Sequence, residues 1–165
     1  MEVYCLDTNF FIEGWNKYYS PNFCSDYWDV IKDLGENGTI FVPHEVKKEI
    51  DKVDDSLKEW FVDKDFLVKQ IDANVQNCLK QLYSNNKAHQ YLANNIKGRS
   101  LADPWVVAHA MAEKAIVVTK EFSTSSKDQR KVKIPDVCRN MNIECIDDFE
   151  FIRRLNIRFK CVTEN

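Results

Sequence analysis

Asp7 ends a short apolar run, Val3-Tyr4-Cys5-Leu6, and Thr8-Asn9-Phe10-Phe11-Ile12 follows at once. A carboxylate at the carboxyl end of a first strand sits where open α/β sheets bind their ligands. Three further acids occupy comparable places: Glu49 after the run 39–42, Asp103 at a helix start, and Glu121 after the run 116–119. Carboxylates gathered on one small sheet repel each other unless a positive charge lies between them. A hard divalent cation held through oxygen is the simplest remedy. The pattern therefore points to metal-dependent hydrolysis.

Each acid also has an ordinary structural role to weigh. Asp7 can cap a helix, with Thr8 or Asn9 sharing that work, but capping does not explain an acid ending a buried strand. Asp before Pro104 is a good helix cap, and one oxygen of Asp103 can cap while the other faces a cation. Glu121 reads most simply as a solvated loop acid. Glu49 competes with Glu45 on one helix. With Val46, Ile50 and Val53 on the buried stripe, Glu49 lies roughly 65° from its centre and Glu45 roughly 105° away. Glu49 thus borders the core, and Glu45 is expected to face solvent. His44, His89 and His109 form no metal triad; His109 falls within an apolar helix and reads as a hydrogen-bonded core residue. Trp15, Trp28, Trp60 and Trp105 read as core.

The elements that must position these acids alternate. Strands are expected at 2–6, 39–42, 115–119 and 143–146, with 66–71 ambiguous between a strand and an extended link. Helices are expected from Asn9 to Tyr18, then, after the breaker Ser20-Pro21-Asn22, from Ser25 or Asp26 to Leu34, stopped by Gly35-Glu36-Asn37-Gly38. Further helices are expected from His44 to Val53, from a cap at 54–56 to about Val62, and over 73–83, 88–96, 103–114, 135–141 and 147–155. Lys97-Gly98 should stop the helix over 88–96, and 122–133 reads as a loop. Alternating strands and helices give an α/β class with a mostly parallel sheet. Residues 1–156 are expected to form one domain with the helical middle, 54–98, as an elaboration, and 157–165 a tail with room for a short edge strand.

The composition fits a globular protein: 165 residues, 44% hydrophobic and 30% charged, with only four Gly and four Pro. A net charge of −3 excludes a bulk polycation, so nucleic acid would have to be held by local basic patches. None of the six cysteines is paired at C-x-x-C spacing, which argues against a zinc site. No signal peptide or membrane-spanning run is evident, so the expected setting is the cytoplasm, with free thiols.

The residues at the four acids also resemble the motifs of the PIN-domain nuclease family, in the branch similar to VapC-type toxins. Cys5-Leu6-Asp7-Thr8-Asn9-Phe10-Phe11-Ile12 looks like its first motif. Val42-Pro43-His44-Glu45-Val46-Lys47-Lys48-Glu49-Ile50 looks like the second, in a register that selects Glu49. Ser100-Leu101-Ala102-Asp103 with Val106-Val107-Ala108-His109-Ala110 looks like the third. Val117-Val118-Thr119-Lys120-Glu121 looks like the fourth, with Glu where Asp is usual.

The resemblance implies a three-layer α/β/α sandwich binding Mg²⁺ or Mn²⁺ and hydrolysing phosphodiesters, usually in RNA. Asp7 and Asp103 would be direct ligands, and Glu49 and Glu121 outer ligands or water-positioning bases. Asn9 and Thr119 would fix carboxylate geometry. An antitoxin protein and a homodimer are the implied partners. Lys127, Arg130, Lys131 and Lys133 follow Glu121 and could line an RNA path, the alternative being a solvated loop; Arg153, Arg154, Arg158 and Lys160 are the next candidates. A phosphatase of the haloacid-dehalogenase kind would need a second Asp where Asn9 stands. A non-catalytic binding module keeping the fold is the competing reading, supported by Glu121. No G-x-G-x-x-G or Walker A loop supports a nucleotide-binding Rossmann protein.

Overall fold

The computed structural model describes residues 2–53, 55–93, 100–124 and 128–163. The chain starts with β1 (Tyr4–Leu6) and α1 (Thr8–Glu13), and continues through a π-helical turn, Gly14–Tyr18, into α2 (Pro21–Glu36). Then come β2 (Ile40–Pro43), α3 (His44–Val53), α4 (Asp55–Trp60) and β3 (Val68–Lys69). α5 (Ala73–Asn85) and a 3₁₀ segment, Lys87–Ala93, lead to α6 (Asp103–Glu113) and β4 (Ile116–Val118). A 3₁₀ turn at Gln129–Lys131, α7 (Ile134–Asn140), β5 (Cys145–Ile146) and α8 (Asp148–Arg154) close the order.

The five strands pair only in parallel, in the order β3-β2-β1-β4-β5. The chain builds outward from β1 to β2 and β3, then crosses back to place β4 on the other side of β1. That reversal opens a crevice at the carboxyl ends of β1 and β4. Crossovers of the right-handed kind usual for parallel strands would put the helices on opposite faces of the sheet. Side-chain alternation agrees. Cys5, paired in register with Phe41, reaches the Val106 carbonyl of α6, whereas Tyr4 packs edge-on against Phe151 of α8. All three residues of β1 are buried, as are the four of β2 and the three of β4, and all of them but Pro43 form one core with Phe10, Phe11, Trp28 and Ile31. The α/β class with a mostly parallel sheet, expected from the alternation, is the fold observed.

The helical boundaries differ from expectation where packing overrides local signals. The first helix widens to π geometry at Gly14, where Tyr19 N–H bonds the Gly14 carbonyl at 2.7 Å. Pro21 begins a turn instead of ending a helix, and Cys24, at φ −144°, breaks that turn from the rest of α2. Gly35 lies inside α2, not after it: a Cβ there would stand 2.1 Å from Leu67 Cδ2, so the helix passes too close to Leu67 for any side chain. The stop is Gly38, at φ +76°. The ambiguous 66–71 stretch supplies a two-residue edge strand preceded by a 3₁₀ turn, and α5 runs two residues past Tyr83 from its Asp72 cap.

The helix expected over 88–96 is 3₁₀ through Ala93; its remainder and the stop at 97–98 lie outside the described residues, as does Asp54 in the expected cap at 54–56. The polar stretch after Glu121 contains the 3₁₀ turn. The tail forms no strand among the described residues; its Phe159 ring stacks on Tyr19 at 5.7 Å instead. Among the described residues no helix is long and apolar enough to cross a membrane.

Candidate active site

Asp7 leaves β1 with its backbone N–H on the Val118 carbonyl of β4, which brings it to the crevice. One carboxylate oxygen caps α1 by accepting the Thr8 N–H at 2.6 Å; the other accepts the Thr119 hydroxyl at 2.8 Å. Thr119 Oγ1 in turn accepts the Glu121 N–H, and Asn9 Oδ1 accepts the Lys120 N–H at 3.0 Å. The Thr-Asn pair after Asp7 and the Thr-Lys-Glu run after β4 are thereby laced together. Asp7 is 1% exposed and Asp103 8%.

Asp103 is the first residue of α6. The cap position falls on Ala102, which has no side-chain cap bond, so the expectation that Asp103 itself caps the helix is corrected. Freed from capping, its carboxylate lines the cleft.

Glu49 accepts the Thr8 hydroxyl at 2.8 Å, the Ser100 hydroxyl at 2.7 Å and the Ala102 N–H at 3.1 Å. It thus ties α1 and the approach to α6 to α3. Glu45 on the same helix does not face solvent freely. Its side chain is 13% exposed, and one of its oxygens is buried with no hydrogen-bond partner among the described residues. Glu49 lines the cleft and Glu45 does not, but the expectation that Glu45 faces solvent is corrected by the packing over it.

Glu121 is not a loose loop acid. One oxygen pairs with Lys133 Nζ at 2.8 Å and the other accepts the Ile134 N–H at 3.1 Å, at the start of α7.

These groups line one cleft of about 560 Å³: Asp7, Thr8, Asn9, Glu13, Glu49, Ser100, Asp103, Glu121, Lys131 and Lys133, with Ile12 and Val132. Burial pushes the Asp7 carboxyl up to about 7, opposed by the Thr119 hydrogen bond and reinforced by the charge of Glu121. Burial, then the charge of Asp7, push Asp103 up to about 9, with the Ser100 hydroxyl holding it down. Two buried carboxyls that resist ionising together are what a cation would relieve.

The donors are all hard oxygens, which suits Mg²⁺ or Mn²⁺. Among the described residues no three His, Cys, Asp or Glu side chains are grouped as a ready-made cage. Mg²⁺ does not need one, because it is commonly held by one or two carboxylates and keeps several waters. Asp7 and Asp103 fit that requirement.

Of the four basic residues expected at the rim, Lys131 and Lys133 line the cleft. Arg130 folds back onto Asp128 at 2.9 Å, and Lys127 lies outside the described residues. Arg153 and Arg154 pair with Glu150, and Arg158 and Lys160 line a separate groove against α2.

Sequence reasoning missed Ser100 as a partner of Glu49, Glu13 as a cleft residue, and the buried ion pair between Lys120 and Asp148 beneath the site. It also took His109 for a hydrogen-bonded residue. That ring is fully buried beside Phe41, neither nitrogen has a partner among the described residues, and burial lowers its pKa to about 4. The hydrogen-bonded core histidine is His89, placed between the Leu82 carbonyl and Asn140.

A search of the curated proteins gives no match. Among solved structures, the chain is similar to one in the crystal structure of VapBC2 from Rickettsia felis bound to a DNA fragment from their promoter. The TM-score is 0.54 at 18% identity, covering 88% of this chain and 98% of that one. At that identity the likeness is one of fold, in keeping with the α/β architecture described above. The family model of DUF4411, described as a domain of unknown function, matches residues 4–159, and the chain belongs to that family.

Proposed function

We propose that the chain hydrolyses phosphodiesters in RNA, using Mg²⁺ or Mn²⁺ held by Asp7 and Asp103. The observation that carries this reading is the pair of buried carboxyls in the crevice between β1 and β4, each raised by burial and by its acidic neighbours. A bound divalent cation would supply a water of lowered pKa and neutralise charge on the phosphoryl oxygens. The protein's own groups do the rest. Thr119 and the Thr8 N–H fix both oxygens of Asp7. Glu49 holds Ser100 and Ala102, and through them the start of α6 that carries Asp103. Lys131 and Lys133 offer positive charge to the backbone of a bound strand. Glu49 and Glu121 act as outer carboxylates that orient water. The fold shared with a VapBC2 chain, and the motif resemblance to VapC-type toxins, support an antitoxin as partner and growth inhibition as the cellular effect.

A non-catalytic binding module has one observation in its favour: both Glu121 oxygens are already engaged, by Lys133 and by the Ile134 N–H. Incubating the purified protein with single-stranded RNA, and separately with a small phosphomonoester, in Mg²⁺, Mn²⁺ or EDTA separates the readings. Metal-dependent RNA cleavage supports the nuclease. Cleavage of the monoester alone would favour a phosphatase, and no cleavage a binding module.

A further inference from the structure

A second groove of about 620 Å³ shares Glu121 with the carboxylate cleft and runs from the segment after β4 along β5. Its lining includes Phe122, Ser123, Arg139, Glu144, Asp147 and Glu121 itself. Glu121 therefore belongs to both spaces. Three features of this groove go unused by the proposed hydrolysis.

Phe122, three residues beyond the hydroxyl that holds Asp7, is 80% exposed. Its flat face, open beside the groove, suits stacking of a nucleobase. Arg139 is exposed and donates to the neutral Ser123 hydroxyl at 2.6 Å; among the described residues it makes no ion pair. The acids near it have other partners: Glu121 pairs with Lys133, Glu144 with Arg154 at 2.6 Å, Asp147 accepts the Glu150 N–H at 2.7 Å, and Asp136 on the same helix accepts the Lys133 N–H at 3.0 Å. The guanidinium is thus left available for an anion, within a groove that also presents an aromatic face. An aromatic platform beside an available cation is the combination by which single-stranded nucleic acid is gripped without base-edge reading.

We infer that the Phe122–Arg139 groove is a binding subsite for single-stranded RNA, stacking a base on Phe122 and holding an adjacent phosphate with Arg139, on the strand that continues out of the carboxylate cleft past Glu121. The inference rests on the nuclease reading above. The size agrees, since small-molecule sites fall at roughly 300–1,000 Å³.

The test is fluorescence anisotropy of a short labelled single-stranded RNA of mixed sequence. It is run across a salt series with Ca²⁺ replacing Mg²⁺ to suppress turnover, and alongside RNA cleavage by the wild type in Mg²⁺. Phe122→Ala should weaken binding by about ten-fold with the log–log salt slope unchanged, and Phe122→Trp should restore it. Arg139→Gln should weaken binding and flatten the slope by about 0.7, the value for one phosphate contact on a single strand. Because both side chains are exposed, neither change should perturb folding, which circular dichroism checks. Wild-type protein that cleaves RNA while all three variants bind like wild type would overturn the subsite and leave the nuclease reading standing. Wild-type protein that neither binds nor cleaves RNA would overturn both.

Discussion

Asp103 and Asp7 take up protons on folding, because burial raises both carboxyls above the ordinary value of 3.8, helped by the charge of Asp7 at Asp103 and by that of Glu121 at Asp7. The stability this confers is complete below about pH 4 and is lost as pH rises through about 7 for Asp7 and about 9 for Asp103. His109, lowered to about 4 from 6.5, works in the opposite sense on the acid side, its contribution being lost as pH falls through that interval. Between about pH 6.5 and 9 the aspartates therefore dominate. The metal-free protein should melt several degrees lower at the alkaline end of this window. Asp103→Asn should flatten the dependence, and Mg²⁺ should stabilise the wild type most where the pair is ionised; differential scanning fluorimetry across pH checks all three.

Glu49 offers a second test at this scale. Its carboxylate satisfies three donors, and Gln would set an amide N–H₂ among them. Glu49→Gln should cost about 1–3 kcal/mol in urea unfolding and sharply reduce cleavage, with Glu45→Gln affecting cleavage far less. An acid ending a buried strand is anomalous in any sequence, which is why Asp7 was legible. Ser100 was not, because a serine in coil shows nothing of the glutamate fifty-one positions away that it will bind.

At the scale of elements, the run after β4 is anchored from below. The Lys120 side chain, 9% exposed, pairs with Asp148 at the start of α8, which is 3% exposed. Tyr19 donates to the same carboxylate at 3.0 Å, and the ammonium lies 4.0 Å from the Tyr18 ring centroid. The arrangement fixes α8 and the π turn against the strand that carries Thr119 and Glu121. Lys120→Met would leave a buried unpaired carboxylate and should cost about 3–5 kcal/mol, while adding Asp148→Asn should recover much of it. A double-mutant cycle on chemical denaturation reads the coupling directly.

Strands and the order of helices were legible because apolar runs and breakers alternate along the chain. The exceptions have tertiary causes. Gly35 reads as a stop but is a point of close approach to Leu67. Ala102, not Asp103, takes the cap position, which a local signal favouring Asp cannot reveal. That neither nitrogen of His109 has a partner among the described residues is a property of the packed interior and leaves no trace in residue order.

For the whole molecule, the reversal of sheet order at β1 and β4 gathers residues from positions 7 to 133 into one cleft on a chain of net charge −3. On the proposed function, RNA would have to be held by local basic groups. If Lys131 and Lys133 each touch a phosphate, changing both to Ala should flatten the log-affinity against log-salt slope by about 1.4 units, similarly for unrelated sequences. An unchanged slope would put the strand elsewhere. The account stands or falls on two side chains. The most direct measurement is cleavage of single-stranded RNA in Mg²⁺ or Mn²⁺ by wild type, Asp7→Asn and Asp103→Asn proteins of matched circular dichroism. The account predicts metal-dependent cleavage by the wild type and its loss in both variants, whereas full activity in either variant would contradict it.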